Sequence, residues 1–261
     1  MRFALIALLL LGVVASQGGV VGKQVDYTVD GITLKGYIAY NDTIKERRPG
    51  VLVVHEWWGN NDYSRMRANM LADVGYVALA VDMYGNGQVV DNPGDAGRLS
   101  GETMKNMRRM KARFTAALDL LKKNGGGDSS RIAAIGYCFG GGVVLNIASA
   151  GADLKGVVSF HPGLGSVLPA EKGKVKAKIL VCNGAADKFN SEETIKNFKA
   201  GLDSAKAEYR FVDYPDALHA FTNPAATEIG KKFNMPIAYN EKADKQSWAD
   251  MQMFFKNVLS K

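Results

Sequence analysis

Short apolar runs alternate with stretches of helical periodicity along most of this chain. Six apolar runs of four to six residues are bounded by glycine, proline or polar residues, as buried strands are. These predicted strands span residues 51–54, 76–81, 131–135, 156–160, 178–182 and 209–214. Two earlier segments, 24–29 and 33–40, predict an antiparallel pair of strands at the start of the fold.

Helical periodicity separates most of the strands. Apolar residues spaced three and four apart predict helices over residues 65–73, 101–123, 139–150, 192–203 and 241–257. Alternation of strand and helix is typical of an α/β protein, because helical crossovers make neighbouring strands parallel. We therefore predict a doubly wound, mostly parallel sheet with helices on both faces.

Length and composition fit one domain. The chain has 261 residues, of which 47% are hydrophobic, and this is enough to bury a large core. It contains no internal repeat, low-complexity run or linker that would divide it. We predict a single domain over residues 17–261.

The first 16 residues have the pattern of a secretory signal peptide. A basic start at Arg2 precedes a continuous apolar run over residues 3–14, and the small residues Ala15 and Ser16 follow. The run is too short for stable insertion across a membrane. Export would place the mature domain in the periplasm or outside the cell, and an uncleaved buried segment is the alternative.

The chain carries a formal net charge of +7, and its densest basic patch covers residues 105–113. A basic excess can indicate nucleic acid or an anionic surface as a partner. This patch, however, continues into Phe114, Leu118 and Leu121 at helical spacing. The pattern favours an amphipathic helix with a solvated basic face over a nucleic-acid site, with weak attraction to an anionic envelope as the alternative.

The segment Gly136-Tyr137-Cys138-Phe139-Gly140 lies between a predicted strand and a predicted helix. In this context, Gly-x-nucleophile-x-Gly is the nucleophile elbow of α/β hydrolases, here with cysteine in place of the more common serine. The sharp turn projects the central side chain above the sheet, and the glycines let the strand and helix backbones approach closely. Cys138 is therefore the candidate nucleophile, and a cysteine that only fills the core is the alternative.

Two later residues complete the chain order of a catalytic triad. Asp187 follows the strand 178–182, and His219 follows the strand 209–214. The α/β hydrolases place nucleophile, acid and histidine in this order. Because the carboxyl ends of parallel strands share one edge of a sheet, we expect Cys138, Asp187 and His219 to meet there.

Four motifs, taken in order, resemble the dienelactone hydrolase family. They are His55-Glu56-Trp57-Trp58-Gly59, Gly136-Tyr137-Cys138-Phe139-Gly140-Gly141, Asp187-Lys188 and His219-Ala220-Phe221. The resemblance implies the α/β-hydrolase fold and a cofactor-independent enzyme that hydrolyses small esters or lactones. It also implies that Cys138 attacks the substrate carbonyl, that His219 is its base, and that Asp187 orients the imidazole.

The resemblance assigns further roles around the nucleophile. It implies that Glu56 contacts the resting thiol and helps to deprotonate it when substrate arrives. Burial after a strand should raise the pKa of this carboxyl. A turn-capping contact or an ion pair with arginine is the alternative for Glu56. The backbone N–H groups of Trp57 and Phe139 are the expected donors to the oxyanion.

The chain departs from the dienelactone-cleaving members of the family at two loops. Those members bind the substrate carboxylate with arginines, whereas residues 82–87 and 219–223 contain none. An arginine fork suits a carboxylate, so its absence favours a neutral ester or lactone. The candidate lining residues are the aromatic side chains Trp57, Trp58, Tyr84 and Phe221, which ordinary core packing would also explain. The alternative function is a secreted carrier that binds a hydrophobic ligand without turnover.

Cysteine and histidine spacing argues against a disulfide and a metal site. The strand 156–160 should separate Cys138 from Cys182 by two strand spacings, about 10 Å, against a limit of about 7 Å for a disulfide. His55 begins a zinc-like motif, but Gly59 stands where the second histidine would be. We predict two free thiols and no bound metal. His161, at the end of a strand, either touches substrate or is a satisfied loop histidine.

Overall fold

The computed structural model describes residues 18–123 and 127–260. The predicted signal peptide, residues 1–16, lies outside the described residues and stays a prediction. In the described part, eight strands form one sheet and seven α-helices pack around it. No helix in this part of the chain has the combined length and apolar character needed to span a membrane.

The strands and helices alternate along the chain after an opening pair of strands. The strands are β1 Val20–Val29, β2 Ile32–Asn41, β3 Arg48–Val54, β4 Val77–Val81, β5 Gly127–Tyr137, β6 Gly156–Phe160, β7 Lys178–Gly184 and β8 Tyr209–Tyr214. The helices are α1 Asp62–Asp73, α2 Pro93–Lys105, α3 Met107–Lys123, α4 Phe139–Ser149, α5 Glu192–Ser204, α6 Ala226–Phe233 and α7 Glu241–Val258.

The strands lie side by side in the order β1-β2-β4-β3-β5-β6-β7-β8. β2 pairs antiparallel with both β1 and β4, and the pairings from β4 through to β8 are parallel. This topology confirms the predicted, mostly parallel sheet and its antiparallel opening pair. The parallel strands also bring their carboxyl ends to one edge of the sheet.

The sheet buries a core on each face because its central strands are apolar along their whole length. Leu52 and Val54 of β3 face one core, to which α3, α4 and α5 contribute. Val51 and Val53 face the other core, where α1 and α7 pack. This division follows from the twofold side-chain period of a strand. Helices therefore cover both faces, as predicted.

The single helix predicted over residues 101–123 is wrong. The helix is interrupted at Asn106, whose φ and ψ angles of −116° and 79° are not helical. The Asn106 side chain accepts a hydrogen bond from Arg109 N at 3.0 Å, so it caps the start of α3.

Arg113 also departs from the predicted solvated face. It is only 7% exposed and donates from Nη1 to the Met83 carbonyl at 2.6 Å.

β6 lies between β7, which contains Cys182, and β5, which Cys138 directly follows, as predicted. Cys138 and Cys182 are both free thiols. Cys182 is fully buried in β7, and burial raises the pKa of its thiol to about 12. This thiol is therefore a neutral part of the core near neutral pH.

Candidate active site

Cys138 lies at the turn between β5 and α4, with φ at 53° and ψ at −114°. A positive φ is strained for a residue with a side chain, and such strain is common at functional turns. The flanking glycines make the turn possible. A Cβ atom on Gly136 would lie 2.1 Å from the Gly140 carbonyl oxygen, and one on Gly140 would lie 2.3 Å from the Val54 carbonyl oxygen. The half-buried Cys138 side chain lines a cavity rather than filling the core.

The structure brings together the three residues that chain order predicted. His219 Nε2 lies 3.1 Å from Cys138 Sγ, and His219 Nδ1 lies 2.8 Å from Asp187 Oδ2. The other carboxylate oxygen, Asp187 Oδ1, accepts a hydrogen bond from Phe189 N at 2.8 Å. These residues follow the carboxyl ends of β5, β7 and β8, so the parallel topology accounts for their meeting.

The His219 ring sits between two groups that favour its protonated form. Burial alone would lower its pKa, but the Cys138 sulfur and the Asp187 carboxylate together raise the pKa of His219 to about 10. An imidazole with a carboxylate on one nitrogen and a thiol on the other can take the thiol proton and hold it.

Glu56 is a buried carboxyl group at the same cavity, 3% exposed. Its Oε2 accepts a hydrogen bond from Asn223 Nδ2 at 2.6 Å, while its Oε1 has no partner among the described residues. Burial raises the pKa of Glu56 to about 7, although the Asn223 hydrogen bond opposes the rise. The hydrogen bond of Cys138 Sγ goes to His219 and that of Glu56 Oε2 goes to Asn223, while the role of Glu56 at the resting thiol stays a prediction.

Asn223 is a site residue that the sequence analysis did not identify. It stands four positions after His219, within the loop that was notable only for its lack of arginine. The sequence indicated Asn223 only through its position in this loop, because a side chain in the loop after His219 can reach the cavity. Its amide satisfies one oxygen of Glu56 and adds no charge.

The cavity beside Cys138 has a volume of about 390 Å³. Its walls come from the loop after β3, from α2, from the start of α4, and from α6 with the loop that follows it. The apolar lining includes Trp57, Trp58, Met104, Phe189, Ile229 and Ile237. Among the described residues that line the cavity, none is lysine or arginine. Such a cavity suits a ligand portion that is apolar and uncharged.

Trp57 and Trp58 line the cavity, but Tyr84 and Phe221 do not, so the expectation for these two residues is wrong. Tyr84 is 5% exposed because its hydroxyl donates inward to the Trp57 carbonyl at 2.8 Å. Phe221 is fully buried in the core on the α1 and α7 face, with its ring 5.2 Å from that of His161.

The N–H groups of Trp57 and Phe139 are free to bind an oxygen atom. Both residues line the cavity, and neither N–H has a hydrogen-bond partner among the described residues. Phe139 is the first residue of α4, where N–H groups lack an intrahelical partner and the helix dipole is positive. Such an N–H at a cavity wall can donate a hydrogen bond to a bound ligand.

His161 supports the elbow from behind the cavity. Its Nδ1 accepts a hydrogen bond from Cys138 N at 3.1 Å, and its Nε2 lies 2.7 Å from Thr222 Oγ1. Burial lowers the pKa of His161 well below its ordinary value, so the ring is neutral. Of the two interpretations of His161, the structure favours the satisfied loop histidine.

The described residues contain no group of three or more histidine, cysteine, aspartate or glutamate side chains arranged to hold a metal ion. His55 is bonded to backbone groups of Glu56 and Met83, and it is fully buried.

Comparison with known proteins gives the same assignment as the motifs. The sequence model of the dienelactone hydrolase family matches residues 34–259. This chain belongs to the dienelactone hydrolase family. It is therefore a hydrolase of ester or lactone bonds with the α/β-hydrolase fold, as the motif resemblance implied, and the triad-like residues, Glu56 and Asn223 all lie within the matched range.

Individual relatives cover nearly the whole chain. Protein usf from Aquifex pyrophilus is 30% identical over 249 residues, which are 92% of this chain and 100% of that protein. Among solved structures, the dienelactone hydrolase-like promiscuous phosphotriesterase P91 from metagenomic libraries is 33% identical, with a TM-score of 0.85. The structure called m3DLH is also 33% identical, with a TM-score of 0.87. Each of the two solved structures covers 93% of this chain, and the chain covers 100% of each.

Proposed function

We propose that this enzyme hydrolyses neutral carboxylic esters or lactones through a thioester formed on Cys138. The supporting observation is the 3.1 Å contact of Cys138 Sγ with an imidazole whose other nitrogen is bonded to Asp187. A thiol needs such a base to become the thiolate nucleophile, and the base needs an acceptor to fix its tautomer.

The reaction proceeds in two halves. His219 takes the thiol proton as Cys138 Sγ attacks the carbonyl carbon, and the resulting oxyanion accepts hydrogen bonds from the amides of Trp57 and Phe139. The tetrahedral intermediate expels the alcohol, which leaves with the proton from His219. Water then gives a proton to His219 and attacks the thioester, which releases the acid and the free thiol. Every proton returns to its starting place, so no cofactor is required.

The neutral substrate follows from the lining of the cavity. A substrate carboxylate entering it would lose its hydration and find no lysine or arginine among the described lining residues. Desolvating an unpaired carboxylate costs several kcal/mol, on the order of the whole binding energy of a small substrate. Neutral phosphotriesters are a second candidate class, because they fit the same apolar cavity and P91, which this chain resembles, carries the name of a promiscuous phosphotriesterase.

The test uses a chromogenic short-chain ester before and after alkylation with iodoacetamide. We expect one equivalent of reagent on Cys138 to abolish turnover, and acid quenching of the untreated enzyme to trap the acyl group on the same residue. Turnover that survives complete alkylation would contradict the proposal. Saturable binding of apolar ligands without any turnover would favour the carrier function instead. Rates over neutral esters, anionic lactones, thioesters and phosphotriesters then rank the substrate classes.

Replacing Glu56 with glutamine should change how alkylation of Cys138 depends on pH. The pKa of Glu56 is about 7, so the wild-type cavity gains a negative charge as the pH rises through neutrality. A second negative charge opposes thiolate formation. We expect Glu56→Gln and wild type to react with iodoacetamide at equal rates at pH 5.5, and the variant to react several-fold faster at pH 8.5. A rate ratio that stays constant with pH would remove Glu56 from the mechanism.

The same variant should be more stable at high pH. Folding raises the pKa of Glu56 from 4.5 to about 7, so the folded state binds the proton more tightly and loses stability as the pH rises between these values. The full loss, reached above pH 7, is about 3 kcal/mol because each tenfold change in acidity is about 1.4 kcal/mol. Urea unfolding should show this gain for Glu56→Gln at pH 8 and no gain below pH 4.5.

Replacing Gly101 with leucine should narrow the range of substrates. Gly97 and Gly101 lie one turn apart on α2 and line the cavity, and a Cβ atom at either position would have no heavy atom within 4 Å. The leucine side chain therefore has open space to occupy, which an extended substrate would otherwise use. We expect kcat/KM for octanoate esters to fall on the order of tenfold while acetate esters are unaffected.

Gly101→Ala is the matched control. It should stabilise α2 by about 0.5–1 kcal/mol, because glycine is unfavourable within a helix, and it should leave the chain-length preference nearly unchanged. Equal losses for acetate and octanoate esters in Gly101→Leu would show that this wall does not contact the substrate.

A further inference from the structure

His55 is a buried histidine that contacts two stretches of backbone at the end of β3. Its Nε2 accepts a hydrogen bond from Met83 N at 3.2 Å, and its Nδ1 is hydrogen-bonded to the Glu56 carbonyl oxygen. Burial lowers the pKa of His55, so the ring is neutral and carries one proton. Because Nε2 acts as an acceptor, that proton is on Nδ1, which donates to the Glu56 carbonyl.

The Glu56 carbonyl is thereby held from two sides. Gly59 N also donates to it, at 3.3 Å. The carbonyl and the following N–H, which belongs to Trp57, are part of one planar trans peptide group and point in opposite directions. Fixing the carbonyl therefore fixes the direction of the Trp57 N–H, which has no partner among the described residues and belongs to a residue that lines the cavity.

The same ring packs against the residue that supplies the second free amide. The rings of His55 and Phe139 are stacked, with centroids 5.6 Å apart and planes at 27°. The Tyr84 ring lies 4.8 Å from that of His55 and 5.5 Å from that of Phe139, and its hydroxyl donates to the Trp57 carbonyl. His55 is thus in contact with both of the segments that would bind the oxyanion, although it does not line the cavity itself.

We propose that His55 is a positioning residue of the oxyanion hole, whose Nδ1–H holds the Glu56–Trp57 peptide so that the Trp57 N–H faces the developing substrate oxygen. The proposal rests on the proposed function. It adds that the transition state, rather than the bound substrate, depends on the His55 proton.

Two variants separate the two hydrogen bonds of the ring. His55→Asn places an amide N–H where Nδ1 is, so it keeps the donor to the Glu56 carbonyl and loses the contact with Met83. His55→Gln places its amide where Nε2 is, so it keeps the Met83 contact and loses the donor. Both variants lose the aromatic ring to the same extent, which makes each the control for the other.

We expect kcat of His55→Gln to fall about 100-fold and kcat of His55→Asn to fall about tenfold or less, with KM within about twofold of wild type in both. A trifluoromethyl ketone with an apolar chain adds to the thiol and forms an anionic oxygen at this site. Its inhibition constant should rise by the same factor as kcat/KM falls. Equal kcat losses in the two variants, or a loss that appears in KM alone, would overturn the proposal.

A measurement on the unmodified protein keeps the test valid if either variant does not fold. The chain has three histidines, so their ring nitrogens can be assigned by NMR after ¹⁵N labelling. We expect His55 to be neutral and protonated on Nδ1, and His161 to be neutral and protonated on Nε2. An Nε2–H tautomer at His55 would overturn the proposal, since its Nδ1 could not donate.

The outcomes distinguish this inference from the proposed function. If the enzyme turns over esters and alkylation of Cys138 stops it, but the two His55 variants behave alike, then only the role of His55 is wrong. If alkylation leaves turnover intact, the thiol mechanism fails first, and the His55 tautomer still reports the backbone arrangement.

Discussion

Replacing Cys138 with alanine should lower kcat/KM for ester hydrolysis by at least about 10⁴-fold. The sulfur is the atom that forms the thioester, and His219 has no other thiol or hydroxyl recorded within hydrogen-bonding distance of its Nε2 among the described residues. Without the nucleophile, the amides and the cavity can still bind the substrate. A chromogenic ester assay measures the loss, and binding of an apolar ester to the inactive variant should persist.

The control for this variant is Cys182→Ala, which removes the second thiol of the chain. Cys182 lies on β7 within the core and makes a 3.5 Å contact with the Tyr214 hydroxyl, away from the cavity. We expect it to cost about 1 kcal/mol of unfolding free energy and to leave kcat/KM within about twofold of wild type. Unchanged turnover in Cys138→Ala, or an equal loss in both variants, would contradict the assignment of the nucleophile.

Replacing Asp187 with asparagine should lower kcat by on the order of 10³–10⁴-fold. The Asp187 carboxylate accepts a hydrogen bond from His219 Nδ1–H at 2.8 Å, which leaves Nε2 to act on Cys138 Sγ. An asparagine amide can donate to Nδ1 instead, and this would place the ring proton on Nε2, where it blocks proton transfer from the thiol. Losing the carboxylate also removes a charge that raises the pKa of His219.

The effect of Asp187→Asn on stability should be small by comparison. Asparagine keeps an oxygen that can accept the 2.8 Å hydrogen bond from Phe189 N, so unfolding should change by about 1 kcal/mol. Asp213→Asn is the matched control on the neighbouring strand, since its carboxylate is bonded to Asn183 and is outside the cavity. Its kcat should stay within about threefold of wild type. If the Asp187→Asn enzyme lost stability and activity in parallel, the role of Asp187 would be structural only.

Local patterns predicted much of the fold correctly because they report burial. Apolar runs predicted the core strands from β3 to β8, and glycine spacing predicted the turn that carries Cys138. Two errors had local physical causes. Asn106 interrupts a continuous helical pattern because an asparagine side chain caps a new helix as readily as it fits within one. The sequence also predicts no helix at α6, because eight residues are too few for helical periodicity to be distinctive.

Side-chain partners at the site were harder to predict than its position. Glu56 and Asn223 are 167 positions apart, and their hydrogen bond depends on how two loops approach above the sheet. The sequence predicts Tyr84 and Phe221 on the cavity wall, whereas each side chain turns into the interior, one toward a carbonyl and the other into the second core. An aromatic ring in a loop near a site can point into the cavity or into the core, and its position in the sequence does not decide between the two.

By itself, the sequence determined the α/β architecture, the elbow at Cys138 and the chain order in which Asp187 and His219 follow. The physical reason is that strand and helix periods, tight-turn glycines and the shared carboxyl edge of parallel strands are local or topological properties. Only the tertiary structure decided that Glu56 bonds to Asn223 and that His55 and His161 are buried against backbone amides and carbonyls. These contacts join distant segments, and they depend on distances and burial that a one-dimensional pattern does not contain.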